Sequence, residues 1–162
     1  MKTLLSIKAN HIKKYALIIP CALMLSCDNE PDSDIITWQK NWNRWTNLNL
    51  NNYSYFFRAS CYCIDEWVTE AKVTIANDTI SNVVFTKNDL SPTTLSPNQW
   101  HTIDELFDIA KAAIDEAYTY KVEYDDTLFG HPTMIDIDWA ENTADDEVTF
   151  FINNVSLSLI HI

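Results

Sequence analysis

The chain has 162 residues, with 11 basic and 23 acidic side chains and a formal net charge of −12. An acidic surface repels nucleic acid and anionic lipid headgroups, so neither is expected as a direct partner. The six tryptophans and an aromatic content of 12% exclude a disordered chain, and the length fits a single domain with a modest core.

The N-terminal segment has the three zones of a secretory signal peptide. Four lysines precede an apolar run over residues 15–25, and a small residue and Cys27 follow. A run of 11 residues is too short for a permanent membrane span, which needs about 20 apolar residues. Residues 24–27 (MLSC) resemble a bacterial lipobox, in which cleavage before the cysteine leaves it as the diacylated N-terminus. An ordinary cleaved signal peptide and a buried N-terminal helix are the alternatives.

Cleavage before Cys27 defines the expected organisation of the protein. We predict a signal peptide over residues 1–26, a lipidated Cys27 with a tether over residues 27–34, and one domain over residues 35–162. The mature chain would keep 136 residues, with seven basic and 23 acidic side chains and a net charge of −16. The lipid would hold it on the extracytoplasmic or periplasmic face of a bacterial cell membrane. Besides the membrane, the expected partners are an envelope protein or a small ligand.

A stripe of large apolar residues predicts the first helix, over residues 35–48. Three tryptophans and a leucine recur at helical spacing, and Ser33 or Asp34 would cap the helix. We interpret the stripe as core rather than as a ligand platform. Its members are Trp38, Trp42, Trp45 and Leu48.

Alternating apolar and polar residues then predict three strands, over residues 53–63, 67–76 and 79–86. Asn77 and Asp78 form the expected tight turn between the second and third strands, because both tolerate a left-handed backbone. The chain holds only one glycine, so asparagine and aspartate must form most of its turns.

A capping box predicts the second helix. Thr102 can bond a first-turn amide and Glu105 can reach back to the cap, and an unbroken apolar stripe follows as far as Ala117. Three more strands are expected over residues 118–124, 133–139 and 148–159. The predicted fold is therefore α+β, an antiparallel sheet of about six strands with two helices packed on it, in the order α-β-β-β-α-β-β-β.

Several of these segments resemble one family of unknown function, domain-of-unknown-function family 6174. The resembling segments are residues 53–55 (YSY), 61–63 (CYC), 124–126 (YDD), 130–132 (GHP) and 145–147 (DDE), and the resemblance covers residues 38–153. Where the family tends to use Asp-Gly after the second strand, this chain has Asn77-Asp78. Family members are mostly small bacterial lipoproteins or secreted proteins. The resemblance implies no catalytic residues. The sequence contains no phosphate loop and no dinucleotide fingerprint, so no cofactor is predicted.

Cys61 and Cys63 are the cysteines left once Cys21 and Cys27 are assigned to the signal peptide and the lipid. On a regular strand their alpha carbons would be about 6.6 Å apart, so a disulfide between them requires the strand to end or bulge at Tyr62. An oxidising compartment favours a local structural disulfide. Two reduced thiols, and a redox or soft-metal pair, are the alternatives.

The acidic stretch 136–147 matches part of a calcium-binding EF-hand loop. Asp136, Asp138 and Glu147 occupy ligand positions, but Ala140 and Glu141 stand where a ligand and a glycine are needed. Because strands rather than helices flank the stretch, we favour solvated charge over a metal site.

His131 is expected as an exposed turn residue, with a Cys63–His131 nucleophile pair as a remote alternative. The sequence thus predicts a non-catalytic envelope lipoprotein that binds a protein or ligand. A thiol–disulfide redox or soft-metal-binding protein that uses the Cys-x-Cys pair is the alternative.

Overall fold

Six antiparallel strands and two long helices make up the fold in this computed structural model, which describes residues 32–157. The predicted α+β class and element order are confirmed. The signal peptide, Cys27 and residues 158–159 of the predicted last strand lie outside the described residues. The elements are α1 Ser33–Thr46, β1 Asn52–Cys61, α2 Asp65–Val68, β2 Ala71–Ala76, β3 Thr79–Phe85, α3 Ile103–Glu116, β4 Thr119–Tyr124, β5 Pro132–Asp138 and β6 Val148–Leu157, with a 3₁₀ turn at Pro97–Gln99.

The sheet has the strand order β3-β2-β1-β6-β5-β4 and is antiparallel throughout. Each helix–strand–strand–strand half contributes one three-stranded meander, and the two meanders join where β1 pairs with β6. This pairing places the first and last strands in the middle of the sheet, so the centre is built from residues about 90 positions apart, such as Phe57 and Ile152.

Alternation along the strands separates the two faces of the sheet. The face under the helices carries the core, including the buried side chains of Tyr55, Phe57, Val73, Ile135 and Ile152. The other face, which we call the open face, has no described helix packed on it and consists of the intervening residues. It includes Phe56, Arg58, Lys72, Met134 and Phe151, all half-buried or exposed.

Helix α1 packs against α3 through the predicted tryptophan stripe. Trp45 is buried, while Trp38 and Trp42 are half-buried against the ring of Phe107, and the Trp38 indole donates a 2.9 Å hydrogen bond to the Phe107 carbonyl. The predicted capping residues are wrong. Asp32 is the N-cap, because its carboxylate accepts from the Asp34 amide at 3.1 Å.

The capping box at the start of α3 is confirmed. The Thr102 hydroxyl accepts from the Glu105 amide at 3.2 Å, and the Thr102 amide donates to the Glu105 carboxylate at 2.7 Å. Capping satisfies amides that the first turn of a helix leaves without partners. The stripe behind the cap is core: Ile103, Leu106, Phe107, Ala110 and Ala113 are fully buried.

The second strand starts later than predicted, at Ala71. Trp67 lies instead in the single turn of α2, where its ring packs edge-on against Phe57. The predicted turn at Asn77-Asp78 is confirmed, with φ angles of 51° and 60° that match the primed turns favoured in hairpins. Within residues 32–157, none of the helices combines the length and apolar character that a membrane crossing requires.

Candidate functional site

Cys61 and Cys63 lie at the end of β1, where the strand stops two residues before the predicted boundary. Their sulfur atoms are in bonding contact and their alpha carbons are 5.3 Å apart, closer than a regular strand allows. Tyr62 between them is 88% exposed. The chain therefore turns at Tyr62, as a local disulfide requires. The oxidation state in the cell stays a prediction.

The acidic residues singled out in the sequence separate in the fold. Asp136 lies on the open face, where it accepts a 2.5 Å hydrogen bond from the Thr149 hydroxyl. Asp138 and Glu147 instead meet Asp146, with carboxylate oxygens within 4.8 Å of one another. One oxygen each of Asp138 and Asp146 is buried without a partner. A calcium ion takes roughly six to eight oxygen ligands, and this group brings together one oxygen from each of three carboxylates, so it supplies only part of such a set.

His131 is not an exposed turn residue as predicted. Its side chain is only 5% exposed, and Nδ1 is buried with no hydrogen-bond partner among residues 32–157. Burial lowers the pKa of His131 to about 4, so the imidazole is neutral at neutral pH. A neutral imidazole carries one donor and one acceptor, and a buried unpaired polar atom costs about 1–3 kcal/mol.

The Cys63–His131 pair is also wrong. Cys61 pairs with Val148 at the start of β6, whereas Met134 pairs with Phe151, and continuing that register places Pro132 beside Asn153 in the middle of the strand. Five residues of strand separate the two positions, or roughly 17 Å at ~3.3 Å per residue. The fold thus separates the cysteines from His131 by about half the length of β6.

The loop before His131 is organised by one carboxylate. Asp125 accepts from the amides of Leu128, Phe129 and Gly130 at 3.0, 2.7 and 3.1 Å through one oxygen. The other oxygen accepts from the Thr127 hydroxyl at 2.7 Å and the Thr127 amide at 3.3 Å. These bonds to the charged form hold the pKa of Asp125 well below its usual range, although desolvation raises it. The Asp125 amide also donates to the His131 carbonyl at 2.8 Å, which closes the loop.

Helix α1 fixes the same loop from outside. The Arg44 guanidinium donates to the Asp125 carbonyl at 3.4 Å and to the Thr127 carbonyl. Gly130 has a φ of +73°, and a Cβ there would lie 2.8 Å from Cδ of Arg44. The only glycine of the chain is therefore required by both its backbone conformation and the close approach of Arg44.

Two β-bulges flank His131. In the β4–β5 pair, Glu123 faces Met134 and Tyr124 faces Pro132, so Thr133 is an additional residue of β5 with no partner position in β4. In the β1–β6 pair, two residues of β6 face Tyr55, and one of them, Asn154, has a φ of 54°. Bulges re-aim side chains and often lie beside functional sites.

These features converge on one open cleft of about 460 Å³, which we call the His131 cleft. Both bulges contribute to it, together with the end of the Asp125 loop and parts of β4, β5 and β6. Its lining residues are Glu123, Asp125, His131, Thr133, Met134, Phe151, Ile152, Asn153 and Asn154. The local sequence does not predict the cleft. Its one signal is that residues 124–126 and 130–132 are among the segments on which the family resemblance depends.

A family model matches residues 37–157, and its description is a family of unknown function (DUF6174). The chain belongs to this family. The match spans β1 to β6 and includes the whole His131 cleft. No curated protein and no solved structure shows significant similarity to the chain.

Proposed function

We propose that this DUF6174 member is a bacterial envelope lipoprotein, anchored by a lipid on Cys27, whose domain is a non-catalytic binding module. The order of lysines, apolar run and Cys27 at the N-terminus supports the anchor. The His131 cleft supports the binding role and is its proposed site.

The observation that carries this proposal is the meeting of three local exceptions at one cleft. A buried histidine with an unpaired nitrogen, the bulge at Thr133 and the positive φ of Asn154 all lie there. An unpaired buried nitrogen and an irregular strand backbone both cost free energy of folding, and such exceptions cluster at ligand sites. The Asp125 loop and Arg44 hold His131 in place, as a preformed site requires.

The anchor is tested by growing the bacterium with radiolabelled palmitate. The protein should incorporate the label and fractionate with membranes, and Cys27→Ser should abolish both. Cys21→Ser is the matched control, because it removes a cysteine from the predicted signal peptide without touching the lipidation site. An unlabelled wild-type protein, or a Cys27→Ser protein that still carries the label, would refute the anchor.

The binding role is tested by ligand-observed NMR on the detergent-solubilised mature protein. The probes are a neutral disaccharide, a peptide with blocked ends and a short fatty acid, each titrated against wild type and Asn154→Gly. Glycine accepts the positive φ, so this variant deletes the amide and leaves the backbone intact. We expect at least one probe to bind saturably and to bind the variant more weakly. If no probe does so, the cleft is not a binding site for small ligands.

A further inference from the structure

Two carboxylates line the His131 cleft, and both already have partners within the chain. The Glu123 carboxylate lies 2.7 Å from the Lys121 ammonium, and the Asp125 carboxylate is fully engaged by the amides of its own loop. His131 is neutral, and none of the described residues that line the cleft is a lysine or an arginine, although the Arg58 guanidinium lies over the ring of Phe151. An anionic ligand would meet two carboxylates in the lining, and a cationic ligand would have to displace Lys121 from Glu123 or compete with the loop amides for Asp125. A neutral ligand meets neither cost.

The groups that remain free are neutral donors and acceptors placed side by side. The side-chain amino group of Asn154 donates to the side-chain oxygen Oδ1 of Asn153 at 2.9 Å, which holds the two side chains together. This bond leaves the Asn153 amino group as a donor and the Asn154 carbonyl oxygen as an acceptor. Thr133 and His131 belong to the same lining. Adjacent donors and acceptors of this kind match neighbouring hydroxyl groups, each of which both donates and accepts.

The rest of the lining is apolar. Met134 and Phe151 face each other across the β5–β6 pair on the open face, and both are half-buried. The Arg58 guanidinium lies 4.1 Å from the centre of the Phe151 ring, which holds that ring in place. A cleft of about 460 Å³ is within the usual size of small-ligand sites.

We infer that the His131 cleft binds a neutral saccharide, with hydroxyls bonded to Asn153, Asn154 and Thr133 and the carbon face of the sugar against Phe151 and Met134. This inference rests on the proposed binding function, because it names the ligand class of the same cleft. A peptide matches less well, because alpha carbons that carry side chains separate its amide groups, whereas the hydroxyls of a sugar lie on adjacent carbons.

The test is a calorimetric titration of the detergent-solubilised mature protein with maltose, cellobiose and N,N′-diacetylchitobiose. At least one disaccharide should bind saturably with a dissociation constant in the millimolar range or below. Asn154→Gly should weaken that binding by about tenfold, or about 1.4 kcal/mol. Asn82→Ala should leave it unchanged, because Asn82 is an exposed asparagine in β3, outside the cleft. Thermal unfolding of both variants checks that the fold is intact.

Two outcomes overturn the inference: no disaccharide binds saturably, or binding is equally strong in Asn154→Gly. A blocked tripeptide, N-acetyl-trialanine amide, is titrated in parallel. If the tripeptide alone binds and Asn154→Gly weakens it, the cleft is a binding site but the saccharide class is wrong. If neither probe class nor the fatty acid binds, the proposed binding function fails together with the inference.

Discussion

Replacement of Asp125 by asparagine tests whether one carboxylate organises the loop that carries His131. The carboxylate accepts five hydrogen bonds, three of them from consecutive amides through a single oxygen. Asparagine keeps one acceptor oxygen and turns an amino group towards the remaining donors, so two or three bonds are lost. Bonds to a charged group contribute about 1.5–3 kcal/mol each, but water screens this partly exposed carboxylate. We therefore expect a loss of about 1–2 kcal/mol in the free energy of unfolding.

The assay is urea unfolding followed by tryptophan fluorescence, supported by calorimetry. For a domain of this size, a loss of that order lowers the melting temperature by roughly 4–8 °C. Asp126→Asn is the matched control, because it removes the same charge from a neighbouring exposed residue and corrects for relief of the overall negative charge. Equal melting temperatures for the two variants would show that the Asp125 bonds do not hold the loop.

The difference between wild type and Asp125→Asn should also depend on pH. The pKa of Asp125 is lower in the folded protein than in the unfolded chain. Its stabilising effect is then fully present above the unfolded pKa, near 4, and is lost as the pH falls through the folded pKa. The gap between the two proteins should be constant from pH 8 to about 5 and shrink below about 4. A gap that closes at neutral pH would refute this account.

Three further predictions concern the same loop and the cysteines. Gly130→Ala should lower the free energy of unfolding by about 1–2 kcal/mol through its positive φ, with a further loss from the clash with Arg44. The clash should disappear in an Arg44→Ala background, which urea unfolding of the double-mutant cycle measures. Additive losses of the two single variants would exclude the steric contribution. The pKa of His131 is about 4 in the folded protein and near 6.5 in the unfolded chain, so the free energy of unfolding should fall by up to about 3 kcal/mol as the pH drops from 6.5 to 4. His131→Gln should lack this part of the decline. An identical pH profile of stability for wild type and His131→Gln would contradict the prediction. Ellman titration of the denatured, unreduced mature protein should find no free thiol, and two thiols per chain would show that Cys61 and Cys63 are reduced.

The elements that the sequence predicted well are those specified by local periodicity. The apolar stripe of α3 and its Thr102–Glu105 cap lie within a few turns of one another, so the pattern alone identifies them. Burial of Tyr55 and Phe57 likewise follows from alternation along β1, because successive strand residues face opposite sides. The six-stranded sheet then follows from the number of such segments and the short turns between them.

The cleft could not be predicted because it depends on pairing between distant segments. Thr133 becomes an extra residue only when β5 is aligned with β4, and Asn154 only when β6 is aligned with β1. The burial of His131 likewise depends on the Asp125 loop and on Arg44 from a helix about 80 residues earlier. A turn motif of glycine, histidine and proline gives no sign of either contact, so the sequence predicts an exposed histidine.

The distribution of left-handed residues separates the requirements of the fold from those of the cleft. Among residues 32–157, every non-glycine residue with positive φ is asparagine or aspartate, as expected for a chain with one glycine. Five of the six lie in turns or loops, where reversing the chain explains them. Asn154 alone lies inside a strand, where continued pairing would favour an extended backbone. Asn154 lies in the β1–β6 bulge, where a left-handed residue is common, and its side chain lines the His131 cleft. Asn154→Gly keeps the backbone conformation and removes that side chain, so it is the variant in which fold and function can be separated.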